Sequence, residues 1–71
     1  MNEIVLKVGP AATGWAVDCE VLQPTYFRSG AQAEAAARRL AIQLSGAGRD
    51  IRMLVQDSAE RLVATHHYFA G

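Results

Sequence analysis

The sequence has few of the residues that stabilise very small domains through covalent links or metals. Its 71 residues include one cysteine, Cys19, and two histidines, His66 and His67. A single cysteine excludes an intrachain disulfide, and a structural metal normally takes three or four ligands from cysteine, histidine and carboxylate side chains. We therefore expect no structural metal and no cofactor. Because a core of this size rarely supplies more than about 3–5 kcal/mol of net stability, we expect a homodimer that buries additional surface.

Net charge and long apolar runs are also absent. Seven basic residues balance seven acidic ones, which disfavours a non-specific nucleic-acid binder because such proteins carry a positive excess. No apolar run approaches the length of a bilayer span, and residues 1–4 lack the basic start of a signal peptide. The hydrophobic fraction of 51% is high enough for folding. We expect one cytoplasmic domain over residues 1–71, without membrane association.

Four segments have the composition of β-strands, and three of them alternate apolar and polar residues with period two. They cover residues 3–8, 15–21, 50–56 and 61–69. Two glycines and a proline in residues 9–14 predict a hairpin loop, and the polar residues 57–60 predict a turn. Pro24 interrupts the second strand, so residues 25–27 predict only a short extended stretch.

One helix is predicted over residues 30–45. Ser29 has the side chain of an N-cap, and Gln32 follows three residues later, as in a capping box. Alanines and leucines recur at three- and four-residue spacing and form one apolar stripe, and Gly46 and Gly48 end the helix. The order strand, strand, helix, strand, strand predicts an α+β domain. We expect an antiparallel four-stranded sheet with the helix packed on one face.

The alternation assigns the strand side chains to two faces if Gln56 lies opposite Arg61 across the last turn. A turn with an odd number of residues would instead exchange Val63 and His67 with Leu62 and His66. With Gln56 opposite Arg61, the face under the helix collects Ile4, Leu6, Val8, Trp15, Val17, Cys19, Val21, Ile51, Met53, Val55, Leu62 and Ala64. The opposite face mixes charged side chains with four apolar ones, Val5, Leu54, Val63 and Phe69. An apolar patch on so small a domain marks a contact surface, so these four are the predicted interface. The alternative is a solvated face with scattered hydrophobic side chains.

The polar side chains do not form a pattern that predicts catalysis. His66 and His67 are adjacent and point to opposite faces of a strand, and Cys19 lies on the apolar face as a small hydrophobic residue. Asp18 and Glu20 share a face, as general acid–base pairs can, but a solvated strand face explains them equally well. We expect no enzymatic activity. A site that combines His67 and Asp18 across a subunit interface would change that expectation.

Basic side chains surround the predicted helix. They are Arg28, Arg38, Arg39 and Arg49. Guanidinium groups of this kind contact phosphates in nucleic-acid complexes, although arginines on a helix are usually only solvated. A small nucleic-acid-binding domain is therefore the alternative function.

Short motifs resemble a family of small bacterial domains of unknown function. They are Gly-Trp-Ala-Val at residues 14–17, Ala-Glu-Ala at 33–35, Ala-Arg-Arg-Leu-Ala at 37–41 and Ile-Arg-Met-Leu-Val-Gln-Asp at 51–57. The resemblance covers about residues 3 to 68, with Asp57-Ser58 where the family turns at Asp-Gly and with extra residues at 22–25. It implies the strand-strand-helix-strand-strand order and no assigned activity. The leading hypothesis is thus a non-enzymatic module that self-associates, or docks another protein, through an open sheet face or a sheet edge.

Overall fold

The structure, a computed structural model, describes residues 3–71 of the chain. Five strands and one helix follow in the order β1 (Glu3–Ala11), β2 (Gly14–Cys19), β3 (Leu22–Phe27), α1 (Gly30–Gly46), β4 (Asp50–Gln56) and β5 (Leu62–Tyr68). The five strands form one sheet in the order β3-β2-β1-β4-β5. The helix packs mainly over β1, β4 and β2. The predicted α+β class with one helix on the sheet is confirmed.

The predicted antiparallel four-stranded sheet is wrong in its strand number and in one strand direction. β1 pairs parallel with β4, while the other neighbours are antiparallel. The third strand before the helix explains the difference. Because three antiparallel strands precede the helix, β3 ends at the end of the sheet opposite the start of β1. The helix α1 then returns the chain to the end where β1 starts. β4 therefore begins at the same end as β1 and runs in the same direction.

The additional strand, β3, follows a two-residue turn at Glu20 and Val21. Cys19 of β2 pairs with Leu22, and the register shifts between Val17 and Cys19. Pro24 fits within β3 because an edge strand tolerates the missing donor. The prediction that Val21 lies under the helix is wrong, since it stands in the turn and is 52% exposed.

The predicted loop at residues 9–14 is mostly strand. β1 continues through Pro10 to Ala11, which pairs with Gly14. Pro10 is accommodated because the pairing of β1 with β4 ends at Val8, so no donor is required on that side. Gly14 has φ +144°, and a Cβ atom there would lie 2.5 Å from the main-chain oxygen of Phe27. Only glycine fits both conditions.

The helix follows its predicted signals. The Ser29 hydroxyl accepts the main-chain N–H of Gln32 at 3.1 Å, which confirms the N-cap, and the helix ends one residue later than predicted. Three alanines four residues apart, Ala33, Ala37 and Ala41, are 0% exposed. Their small side chains let α1 lie close to the sheet. Beneath them the core contains Ile4, Leu6, Val8, Val17, Cys19, Ile51, Met53 and Val55.

The pairing of β4 with β5 is displaced by two residues from the predicted register. Val55 lies opposite Ala64 rather than Leu62, and a bulge lies beside Gln56. A shift of two keeps each side chain on its face, so Ala64 packs against the core as predicted. The prediction that Leu62 lies under the helix is wrong, because the bulge sets it level with Gln56, where it is 58% exposed.

The turn before β5 accounts for one of the two residues of this displacement, and the bulge accounts for the other. The Asp57 carboxylate accepts the main-chain N–H groups of Ala59 at 2.8 Å and Arg61 at 3.0 Å. The Asp57 N–H also donates to the Arg61 carbonyl at 2.9 Å. The hairpin is therefore closed by the Asp57–Arg61 pair, one position later on β4 than the sequence predicted.

Candidate functional site

The face of the sheet opposite α1 carries a mixture of charged and apolar side chains. The strand registers place there Glu3, Val5, Lys7, Asp18, Arg52, Leu54, Thr65 and His67. Val5 lies beside Arg52, Leu54 lies beside Lys7, and both apolar side chains are half-buried. The middle of this face is thus a charged surface in which two apolar side chains are partly covered.

The other two predicted interface residues lie far from this centre and from each other. Val63 stands at the bulge near the start of β5 and is 60% exposed, and Phe69 follows the end of β5 and is 76% exposed. Six residues of extended strand separate them by about 20 Å. The four residues therefore do not form one continuous apolar patch within a single copy.

Phe69 stacks on His67, which belongs to a row of polar contacts on the uncovered face. Its ring stacks on His67 with centroids 6.1 Å apart and an interplanar angle of 14°. Glu3 lies within 4.0 Å of the His67 Nδ1 atom and forms a 2.8 Å ion pair with Arg52. These contacts join β1, β4 and β5 at one end of the sheet, so Phe69 projects from a supported position.

The outer edge of β5 is open and lacks the residues that usually protect such edges. Within residues 3–71, no strand pairs with this edge. Edge strands are commonly blocked by proline, charged side chains or bulges. The sequence Leu-Val-Ala-Thr-His-His-Tyr of β5 contains no proline, lysine, arginine or carboxylate, and its one bulge lies at its start. The opposite border, β3, contains Pro24 and is blocked in the usual way.

The main-chain groups that face this open edge follow from the pairing with β4. Because Asp57 donates to Arg61 across the turn, the alternation of an antiparallel ladder places the β4 bonds at Ala64 and His66. Thr65 and His67 alternate with them, and their main-chain N–H and C=O groups point outward. The edge therefore offers hydrogen-bonding groups at Thr65 and His67.

The structure brings together only two of the four arginines proposed as a patch. Arg28 and Arg39 line one open groove of about 600 Å³ together with Tyr26 and Phe27. Arg38 instead forms a 2.9 Å ion pair with Glu34 on the helix surface.

Arg49 follows the far end of α1. The 17 residues of α1 separate it from Arg28 by about 25 Å at the rise of an α-helix. The sequence did not indicate Tyr26 as a groove residue, because that inference depended on recognising β3.

The histidines and the cysteine are dispersed. His66 pairs with Met53 and His67 with Arg52, so they occupy opposite faces. Asp18 and His67 belong to strands three spacings apart, about 14 Å, and do not meet within one copy. Cys19 is buried in the core. Across residues 3–71, no group of three or more His, Cys, Asp or Glu side chains is placed to hold a metal ion.

A smaller hollow of about 390 Å³ lies beside Val5 on the uncovered face. Lys7, Asp18 and Glu20 contribute to its lining. The Glu20 carboxylate accepts the main-chain N–H of Val5 at 3.1 Å, where the ladder between β1 and β2 has ended. This carboxylate therefore completes the edge of the sheet. In the part of the chain that the structure describes, no helix has the length and apolar character to cross a membrane.

Comparison with known proteins adds no relative to these observations. No family model, curated protein or solved structure matches the chain. The functional interpretation therefore depends on the geometry of the sheet, its open edge and the arginine groove.

Proposed function

We propose that the chain is a non-enzymatic protein-interaction module that self-associates through the side of its sheet bordered by β5. One observation supports this proposal above the others. Three large, exposed apolar side chains lie on β5 or directly after it: Leu62 at 58%, Val63 at 60% and Phe69 at 76% exposure. A strand at the border of a sheet that also carries exposed apolar side chains is suited to contact another protein.

The magnitude of this exposure is consistent with a reversible homodimer. Burying a side chain of this kind contributes about 1.5–3 kcal/mol when it moves from full exposure to full burial. For three partly exposed side chains the gain is about 4 kcal/mol per copy, and a two-fold interface counts it twice. Association costs about 4–15 kcal/mol in lost freedom. At the low end of that cost the balance is about −4 kcal/mol, which corresponds to a weak dimer with a dissociation constant of about 1 mM or weaker.

Sedimentation equilibrium between about 10 µM and about 1 mM protein tests self-association. We expect the average mass to rise from monomer toward dimer over this range. Phe69→Ser should weaken the dimer, because it removes the most exposed apolar side chain beside β5. Ile42→Ser is the matched control, since Ile42 is 57% exposed on α1, away from this border. A wild-type chain that stays monomeric throughout would contradict the proposal.

A second candidate function is supported by the arginine groove. Arg28 and Arg39 line one groove, and neither has an ion-pair partner among residues 3–71. Two guanidinium groups that line one groove fit the phosphates of nucleic acid. This candidate ranks second because the chain has no net positive charge.

Gel-shift titration with generic single-stranded DNA and RNA at several salt concentrations tests this candidate. We expect binding that weakens as salt rises and that is lost in the Arg28→Ala, Arg39→Ala double variant. The control is Arg38→Ala, Arg49→Ala, which removes the same charge away from the groove. No shift at low salt, or equal losses in both variants, would reject the groove. The cytoplasmic location and the resemblance to the bacterial family remain predictions.

A further inference from the structure

We propose that two copies of the chain pair antiparallel through the open edges of their β5 strands, about a two-fold axis at Thr65. The result is one continuous sheet with twice the five strands of a single copy. This inference depends on the proposed self-association and specifies the contact surface, the partner and the register.

The main chain of β5 fits a second copy of itself. Thr65 is the central residue of β5 (Leu62–Tyr68), and its N–H and C=O groups point away from β4. When two such strands run antiparallel, Thr65 faces its counterpart and His67 faces Val63 of the other copy. This register overlaps the full length of both strands. The facing pair of Thr65 residues forms two main-chain hydrogen bonds in an antiparallel ladder, and the outward groups of each His67 lie at the bulge beside Val63 of the other copy.

The same register explains the positions of the exposed apolar side chains. Val63 and Phe69 lie at opposite ends of one β5 strand, too far apart to contact each other. Antiparallel pairing reverses one strand, so Val63 of one copy lies diagonally across from Phe69 of the other. Diagonal neighbours on a sheet face are about 7–8 Å apart, within reach of an aromatic ring. Each end of the joint then has an apolar cluster formed by both copies.

The other border of the sheet is less suited to this pairing. β3 also carries exposed apolar side chains, Leu22 at 52% and Tyr26 at 63%, but Pro24 at its centre removes the main-chain donor that an added strand would need there. A two-fold axis perpendicular to the sheet also keeps both α1 helices on the same face, where they do not obstruct the joint. Contact over seven residues per copy is well below the roughly 20–30 residues per side of a standard stable interface, so the edge contact forms only the weak, transient dimer expected from burial.

Charge placed at the axis gives a specific test. Thr65 is exposed and does not pack in the core, so Thr65→Lys and Thr65→Glu should leave the monomer folded, as circular dichroism at low concentration would show. Each should raise the dissociation constant by about tenfold or more, because identical charges would lie directly opposite each other. Mixing the two variants should restore a dimer, which native mass spectrometry would identify as the heterodimer. Thr25→Lys, on the β3 border, is the control and should change nothing.

Amide hydrogen exchange of the wild-type chain provides a second measurement that needs no variant. Exchange at Thr65 and His67 should slow as the protein concentration rises, because their N–H groups become bonded only in the dimer. Ala64 and His66, which already pair with β4, serve as internal references. A dimer that is insensitive to Thr65→Lys, with concentration-independent exchange at Thr65, would overturn this edge contact and leave self-association through the uncovered face. A strict monomer would overturn both proposals.

Discussion

Replacing Ala37 by leucine tests how closely α1 approaches the sheet. Ala37 is the middle member of the alanine stripe and is 0% exposed. Leucine is nearly as good a helix former as alanine and is more hydrophobic, so composition alone would predict little harm. The structure predicts a lower free energy of unfolding, because the isobutyl group must enter a space that now holds a single methyl group.

The expected size of the loss follows from the burial of this position. Overpacking a well-filled core costs about 1–3 kcal/mol. The opposite change, Ala37→Gly, should cost about 2 kcal/mol, since it combines about 1 kcal/mol of helix propensity with about 0.8 kcal/mol for the buried methyl group. Both changes are large compared with the net stability that a core of this size supplies, about 3–5 kcal/mol.

Urea denaturation followed by circular dichroism measures these differences. All variants must be compared at one protein concentration, because association raises apparent stability. Ile42→Leu is the matched control: it lies on the same helix, is 57% exposed, and should shift the unfolding free energy by less than about 0.5 kcal/mol. If Ala37→Leu were as stable as Ile42→Leu, the close approach of α1 to the sheet would be refuted.

Three further predictions concern the turns. Gly14→Ala should cost about 2–3 kcal/mol by thermal or urea unfolding, because φ is +144° and the new Cβ would lie 2.5 Å from a main-chain oxygen of β3; Gly46→Ala, with open space around it, should instead stabilise by about 0.5–1 kcal/mol. Glu60→Gly should stabilise by about 0.5–1 kcal/mol, because φ is +64° at this non-glycine residue; no gain in melting temperature would count against backbone strain there. The hydrogen bond from the Arg61 main chain, the largest of several, lowers the pKa of Asp57 from 3.8. The ionised Asp57 carboxylate therefore stabilises the fold well above pH 3.8, and this stabilisation is lost as the pH falls through the lowered pKa of Asp57. The difference in unfolding free energy between wild type and Asp57→Asn should narrow on acidification. A difference that stays constant with pH would show that the Asp57 carboxylate is not its source.

The sequence predicted those parts of the candidate site that depend on local pattern. The alternation in β4 and β5 correctly separated His66 from His67. It also placed Val5 and Leu54 together on the face away from α1. It did not reveal that Val63 and Phe69 lie at opposite ends of an open edge. That edge is defined by the strand order, and residues distant in sequence determine the strand order.

The sequence by itself determined the elements whose signals lie within a few residues. Ser29 caps α1 because its hydroxyl reaches a neighbouring N–H group, and period-two alternation sets the buried side of β1, β2 and β4. Only the tertiary structure decided which strands are neighbours and how β5 is aligned. β3 became a strand because β2 offered it a free edge, although Pro24 argued against it locally. Because β3 precedes it, α1 begins at the end of the sheet opposite the one that two strands would have given. For this reason β4 runs parallel to β1. β5 then forms the open border of the sheet.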